Sequence, residues 1–131
     1  MKPTNSDLIG SIRSSRLPYF DTASQQMKYK SRPILILSVE NERGQTDLTA
    51  IPLSKISDKR RIISDYDVKI ERQVYPLLRL NESISYFRTS KVTTIHSNNI
   101  GVGEISNVKK IYPDLFNDII KKVKKYVDGI G

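Results

Sequence analysis

The side chains best suited to chemistry in this chain are arginines and hydroxyls placed where structural elements are expected to begin or end. Arg32 immediately precedes Pro33, at the junction of a polar stretch and an aliphatic run, where a rigid strand can aim it. Ser54 falls near the end of an apolar segment, Arg79 lies in the short stretch 77–80, and Arg88 and Thr89 lie within the aromatic-rich stretch 86–95. A guanidinium stays charged and forks onto phosphate oxygens, which suits it to stabilising charge at phosphorus. It suits proton abstraction poorly, so a reaction built on these residues needs another group as base. A solvated surface charge is the alternative reading of each arginine. The single histidine, His96, has no paired carboxylate or HxH neighbour at metal-ligand spacing, so no metal site is expected. No P-loop, GxGxxG or GxSxG pattern occurs, and the absence of cysteine removes thiolate nucleophiles, disulfides and zinc ribbons together.

The elements that must position these residues belong to one small domain. At 131 residues there is room for a single core, and 37 % hydrophobic with 27 % charged residues is ordinary globular composition. Lysine and arginine number 22 against 14 carboxylates, a net charge of +8. Such a balance suits a polyanionic partner (RNA, DNA or an anionic membrane surface), or serves solubility alone. The lack of cysteine fits a reducing cytosol, and the opening MKPTNSDLIGSIRSS lacks the apolar core of a signal peptide. The longest aliphatic run, at 34–37, is far short of the roughly 20 residues of a membrane span. The expectation is a soluble cytoplasmic protein with no membrane partner.

Residues 1–8 read as a loose leader, 10–19 as a first strand and 21–31 as an exposed polar loop. The unbroken run Ile34-Leu35-Ile36-Leu37 predicts a central strand at 33–39 buried on both faces. Residues 40–46 form a turn in which Gly44 can take a positive φ, and 48–56 form the next strand, with Pro52 marking a bulge or an edge. After a charged turn at 57–61, the alternation of 67–71 predicts a half-buried strand. Further strands are expected at 77–80, at 86–95 and, after a turn at Gly101 and Gly103, at 104–108. The period then changes. Leu115, Phe116, Ile119, Ile120, Val123 and Val127 form the apolar stripe of an amphipathic helix over 113–128, with Pro113 and Asp114 suited to its first turn and Gly129 to its stop. Lys121, Lys122, Lys124 and Lys125 read as its solvated face. Six or seven short strands and one helix describe a mainly β (α+β) barrel, closed or nearly so.

Three blocks of the chain resemble the PemK/MazF family of toxins from type II toxin–antitoxin systems. Lys30-Ser31-Arg32-Pro33-Ile34-Leu35-Ile36-Leu37-Ser38 is similar to the family strand in which a basic loop runs into Arg-Pro and several aliphatics. Thr49-Ala50-Ile51-Pro52-Leu53-Ser54 resembles its second block, an apolar strand ending in Pro, an aliphatic and a hydroxyl residue. Leu77-Leu78-Arg79-Leu80-Asn81-Glu82 and then Phe87-Arg88-Thr89 are similar to the third, an aliphatic-Arg stretch leading to Arg-Thr. The blocks stand in family order across roughly residues 10–127, and Gly10-Ser11-Ile12 matches the opening in part.

The resemblance implies an SH3-like barrel with a C-terminal helix, a homodimer, and cleavage of single-stranded RNA at short sequence motifs by 2′-OH attack, without metal or other cofactor. It implies inhibition by a cognate antitoxin that lays an acidic tail over the RNA groove. By the same resemblance Arg32 and Ser54 take the positions of the catalytic arginine and hydroxyl, and Arg79 that of an arginine used in one branch. Asn81 stands where that branch has an acid, and the loop before Arg32 lacks the family's Glu-Gln, so the base is unassigned. Lys28, Lys30, Lys55, Lys59, Arg60 and Arg61 are expected along a phosphate path. Arg88, Thr89 and Asn81 are expected RNA contacts as well, with Tyr29 or Tyr86 available to stack unpaired bases, and Phe87 either to stack or, the favoured reading, to pack in the core. Two other readings stay open: a barrel that binds nucleic acid without cutting it, and a gyrase-binding toxin resembling CcdB.

Overall fold

The computed structural model describes residues 4–131, apart from the side chains of Leu17 and Tyr19. Residues 1–3 of the expected leader lie outside that range. The chain runs β1 (Ser11–Asp21), β2 (Gln26–Val39), β3 (Asp47–Ser54), β4 (Asp67–Glu71), β5 (Ile84–Arg88), β6 (Thr93–His96), β7 (Ile100–Asn107), then α1 (Val108–Ile111) and α2 (Pro113–Asp128). The strands form one antiparallel sheet in the order β4-β5-β3-β2-β1-β7, and β6 pairs with β3 beside this path. β4 and β7 do not pair, so the sheet curls into a half-barrel without closing. No helix among the described residues is long and apolar enough to cross a membrane.

β2 is the spine. Its aliphatic run feeds two cores, as the unbroken pattern predicts. Leu35 enters the larger core with Ile12, Ile51, Leu53, Phe87 and the α2 residues Leu115, Phe116 and Ile119. Ile34 and Ile36 enter a second core with Leu48, Ala50 and Ile95. The apolar stripe of α2 therefore covers one face of the sheet, except that Val127 stays half exposed. Pro113 opens α2 and Gly129 caps it, as the residue types require.

Several expected elements differ, for local reasons. The polar stretch 21–31 is no loop, because it forms the tip and return arm of a β1–β2 ribbon with Asp21 opposite Gln26 and Ser15 opposite Arg32. Its residues are exposed on both faces, so no apolar alternation announces the strand. The stretch 77–80 is not a strand: Pro76 presets the first φ of a 3-10 turn (Pro76–Leu78), and Arg79 then takes a left-handed conformation at φ 56. The long strand at 86–95 is two strands separated by a turn in which the Lys91 amide donates to the Arg88 carbonyl. Gly101 and Gly103 lie inside β7, where a Cβ on Gly101 would meet the Ser14 backbone at 3.5 Å. Pro52 marks neither edge nor bulge. On one side of β3 it falls where the strand leaves β6 and takes up β5, so no donor is needed there. The leader is also tied down, with Asn5–Leu8 forming a 3-10 turn and the Asn5 side-chain amide donating to the carbonyls of Asn41 and Gly44.

Gly10 joins this leader to β1 at φ 88, and a Cβ there would stand 2.3 Å from that of Lys109. Both the positive φ and the close approach require glycine. Gly10→Ala is expected to lower stability by about 1–3 kcal/mol, read as a shift in the urea midpoint at unchanged m-value.

Candidate nucleic-acid groove

A groove of about 530 Å³ opens at one end of the sheet, where β2, the end of β3, the turn after Arg79, β5 and β7 meet. Its walls bring together Arg32, Ser54 and Arg79, which are 22 and 25 residues apart in the chain. Each is positioned by backbone structure. Arg32 sits in mid-strand, where the Ser15 hydroxyl donates to its carbonyl at 2.8 Å. On the other side, the β2–β3 ladder ends at Ile34 opposite Pro52, two residues from both Arg32 and Ser54. Ser54 ends β3 and pairs with Tyr86 of β5, which locks its direction. Arg79 is placed by its left-handed backbone, a conformation costing a non-glycine residue roughly 1–2 kcal/mol. The bend buries Leu78 and Leu80 in the core while Arg79, Asn81 and Glu82 stay exposed along the groove.

Six of the sixteen lining residues are cationic (Lys30, Arg32, Lys55, Arg61, Arg79 and Arg88) against one carboxylate, Glu82. Two of the six are paired: Lys55 with Glu82 at 3.4 Å and Arg88 with Asp67 at 3.0 Å. Among the described residues, the side chains of Arg32, Ser54 and Arg79 make no hydrogen bond or ion pair, which leaves them open to a ligand. Convergent, unneutralised guanidiniums repel one another, so the groove favours an anion with oxygens spread over a similar span.

The other expected contacts divide. Lys30, Lys55, Arg61, Asn81 and Arg88 line the groove; Lys28, Tyr29, Lys59, Arg60 and Thr89 do not. Lys28 pairs with Asp21 at 2.9 Å and holds that carboxyl below its ordinary range, with Ser24 donating as well. Arg60 does the same to Asp58, through side chain and backbone. Thr89 is a correction: it is fully buried and its hydroxyl donates to the Tyr66 carbonyl, so it closes a turn and offers nothing to RNA. Phe87 is likewise fully buried in the core, out of reach of any base. Arg88 is largely buried too. It donates to Asp67 and to the Arg61 carbonyl, and so anchors the 3-10 turn (Lys59–Arg61) that brings Arg61 to the rim. His96 lies elsewhere, its Nδ1 accepting from the Asn98 amide at the end of β6.

Sequence reasoning missed Glu82, Ser31 and Ser85 as groove residues. Glu82 stands next to Asn81 in the quoted block, just past the left-handed Arg79, and both line the groove.

No protein-family model matches the chain, and no curated protein matches it either.

The Arg88–Asp67 pair, with the Asp67 side chain fully covered, holds one wall of the groove. Asp67→Ala would strand a buried guanidinium, and the expected cost is about 3–5 kcal/mol in chemical denaturation. A loss below about 1 kcal/mol would mean that the pair acts as a surface contact.

Proposed function

We propose that this chain is a metal-independent endoribonuclease of the PemK/MazF type, an SH3-like barrel that cuts single-stranded RNA in the groove just described. The observation supporting this reading is the convergence of Arg32, Ser54 and Arg79 on one cationic groove from three separate segments. On this reading the bound phosphodiester lies between Arg32 and Arg79, whose guanidiniums fork onto its non-bridging oxygens and stabilise the charge that builds there. Ser54 Oγ hydrogen-bonds the same phosphate. The neighbouring 2′-OH attacks phosphorus, the 2′-O–P bond forms, and the P–O5′ bond breaks. The products are a 2′,3′-cyclic phosphate and a 5′-hydroxyl, the leaving oxygen taking its proton from water. The nucleophile belongs to the substrate, so the protein need supply only charge, alignment and a proton acceptor.

Glu82 fills that last role on this reading. Among the described residues it is the one carboxylate lining the groove, and no histidine lines it. Its partner Lys55 is half exposed and can swing to a neighbouring phosphate, freeing the carboxylate to take the 2′-OH proton. A homodimer would set two such grooves side by side, and an antitoxin's disordered acidic tail would match the groove's charge. The cytoplasm is where such a toxin meets mRNA. A second reading, a barrel that binds RNA without cutting it, draws on the neutral Asn81 and on the Glu82–Lys55 pair, which ties up the only acid.

Incubation of a long single-stranded RNA in EDTA distinguishes the two. Discrete fragments with cyclic phosphate ends are expected from the wild type, with a loss of about 100-fold or more in Arg32→Ala. Intact RNA that shifts on a gel supports the binding module instead. Glu82→Gln keeps the shape and removes the base. It is expected to cut about 100-fold more slowly or worse while binding RNA normally, and full activity in this variant would remove Glu82 from the mechanism.

A further inference from the structure

β7 ends the sheet path, and a cavity of about 350 Å³ lies between this strand, the 3-10 turn (Pro76–Leu78) and α1. We infer that this cavity binds a carboxylate carried on an aliphatic body, a ligand separate from whatever occupies the main groove. Three observations support this chemistry.

The first is charge. Arg79 and Lys110 line the cavity, and among the described residues neither side chain has an ion pair or a hydrogen bond. The one carboxylate there, Glu104, accepts from the Asn107 side-chain amide at 3.0 Å. Two cations against one carboxylate leave a single positive charge, which a monoanion neutralises. The second is an unpaired hydroxyl. Ser106 lines the cavity and is only 7 % exposed, and its Oγ is buried without a hydrogen-bond partner. Interior hydroxyls are normally paired, and an acceptor oxygen seated beside this one supplies the missing bond. The third is the apolar rim. Leu77 is 59 % exposed and Ile111 38 %. Neither is free to collapse inward, because the Leu77 amide donates to the Tyr112 hydroxyl at 3.3 Å and the Tyr75 and Tyr112 rings meet edge to face at 5.0 Å. An aliphatic body laid between them leaves water at no cost in rearrangement. A bare inorganic anion would leave this rim wet, and an uncharged hydrocarbon would leave the cations uncompensated. The two demands together select an aliphatic acid.

Arg79 lines this cavity and the main groove alike. A carboxylate beside it lowers the positive potential that the main groove offers, so occupancy of the cavity opposes binding of a second anion there. On the ribonuclease reading, the cavity is then an inhibitory site outside the RNA path. The acid itself is either a free small molecule or the C-terminus of a chain ending in an aliphatic residue.

The test follows backbone amide NMR signals of the full chain during titration. Isocaproate is expected to give saturable shifts at Ser106, Asn107 and Lys110. Isocaproamide, which has the shape without the charge, and acetate, which has the charge without the body, are expected to bind about tenfold more weakly or worse. Lys110→Ala and Ser106→Ala should each weaken isocaproate severalfold. Without ligand, Ser106→Ala should melt no lower than the wild type, since it removes a hydroxyl that bonds to nothing, which separates ligand binding from a structural role. Shifts that never saturate, that isocaproamide matches, or that survive Lys110→Ala would overturn the site. Tighter binding of N-acetyl-glycylleucine than of isocaproate assigns the site to a chain terminus, and the reverse assigns it to a free acid. Saturating isocaproate is expected to weaken binding of a labelled single-stranded RNA, and unchanged RNA affinity would refute the coupling through Arg79. If the wild type binds no RNA at all, the ribonuclease reading fails while the amide shifts still decide the cavity.

Discussion

The register of β2 between its two neighbours is the constraint on which the rest of this molecule depends. A strand with one apolar face can slip by two residues and still bury that face, at the cost of its end rungs. β2 has Ile34 and Ile36 in one core and Leu35 in another, so a slip by one residue would exchange the two sets and misfit both. That fit fixes Ile34 against Pro52, two residues from both Arg32 and Ser54. The meeting of Arg32 and Ser54 on one groove is therefore a by-product of packing that happens several residues away. It needs no dedicated hydrogen bonds between the two side chains, which leaves both available to a ligand.

The groove gathers like charges, and the fold absorbs the consequence unevenly. Arg88 is neutralised and buried by Asp67, and this ion pair, with the hydrogen bond to the Arg61 carbonyl, makes a rigid wall from a loop otherwise rich in lysine and arginine. Lys55 is neutralised loosely at the surface by Glu82. Lys30, Arg32, Arg61 and Arg79 remain uncompensated among the described residues. The division is physically sensible: a charge taken out of water needs a partner, whereas a charge at a wet rim does not. The uncompensated set is what an anion would see. Arg79 adds backbone strain to the same place, a feature common where binding residues must point against the local preference of the chain.

The β1–β2 ribbon extends this logic beyond the core. Past Arg32 nearly all the described side chains of both strands are solvent-exposed, and backbone pairing and short contacts such as Lys28 with Asp21 hold them. Such a ribbon can present side chains on two sides at once. Here it presents cations to the groove and Arg16 stacked on the Tyr29 ring to the opposite side.

Burial patterns were legible in the sequence alone. The four consecutive aliphatics at 34–37 announced a strand covered on both faces, and the period of 115–127 announced a helix over an apolar surface, because hydrophobic spacing directly reports which side of an element leaves water. The arginines and the hydroxyl that would share the groove were also named in advance, from their types and neighbours. The ribbon was not legible, since a strand exposed on both faces has no alternation to read and exists only because β1 lies beside it. Nor was the turn at Arg79 or the split of 86–95, where a change of backbone partner outweighed good strand propensity. Thr89 reads as an RNA contact and is buried, whereas Phe87 packs in the core as its type suggests; Glu82 carries no role in the sequence and lines the groove. Residue type follows from sequence, but the side of the fold to which each side chain is delivered depends on register and turn conformation, and those are set by contacts between segments far apart in the chain.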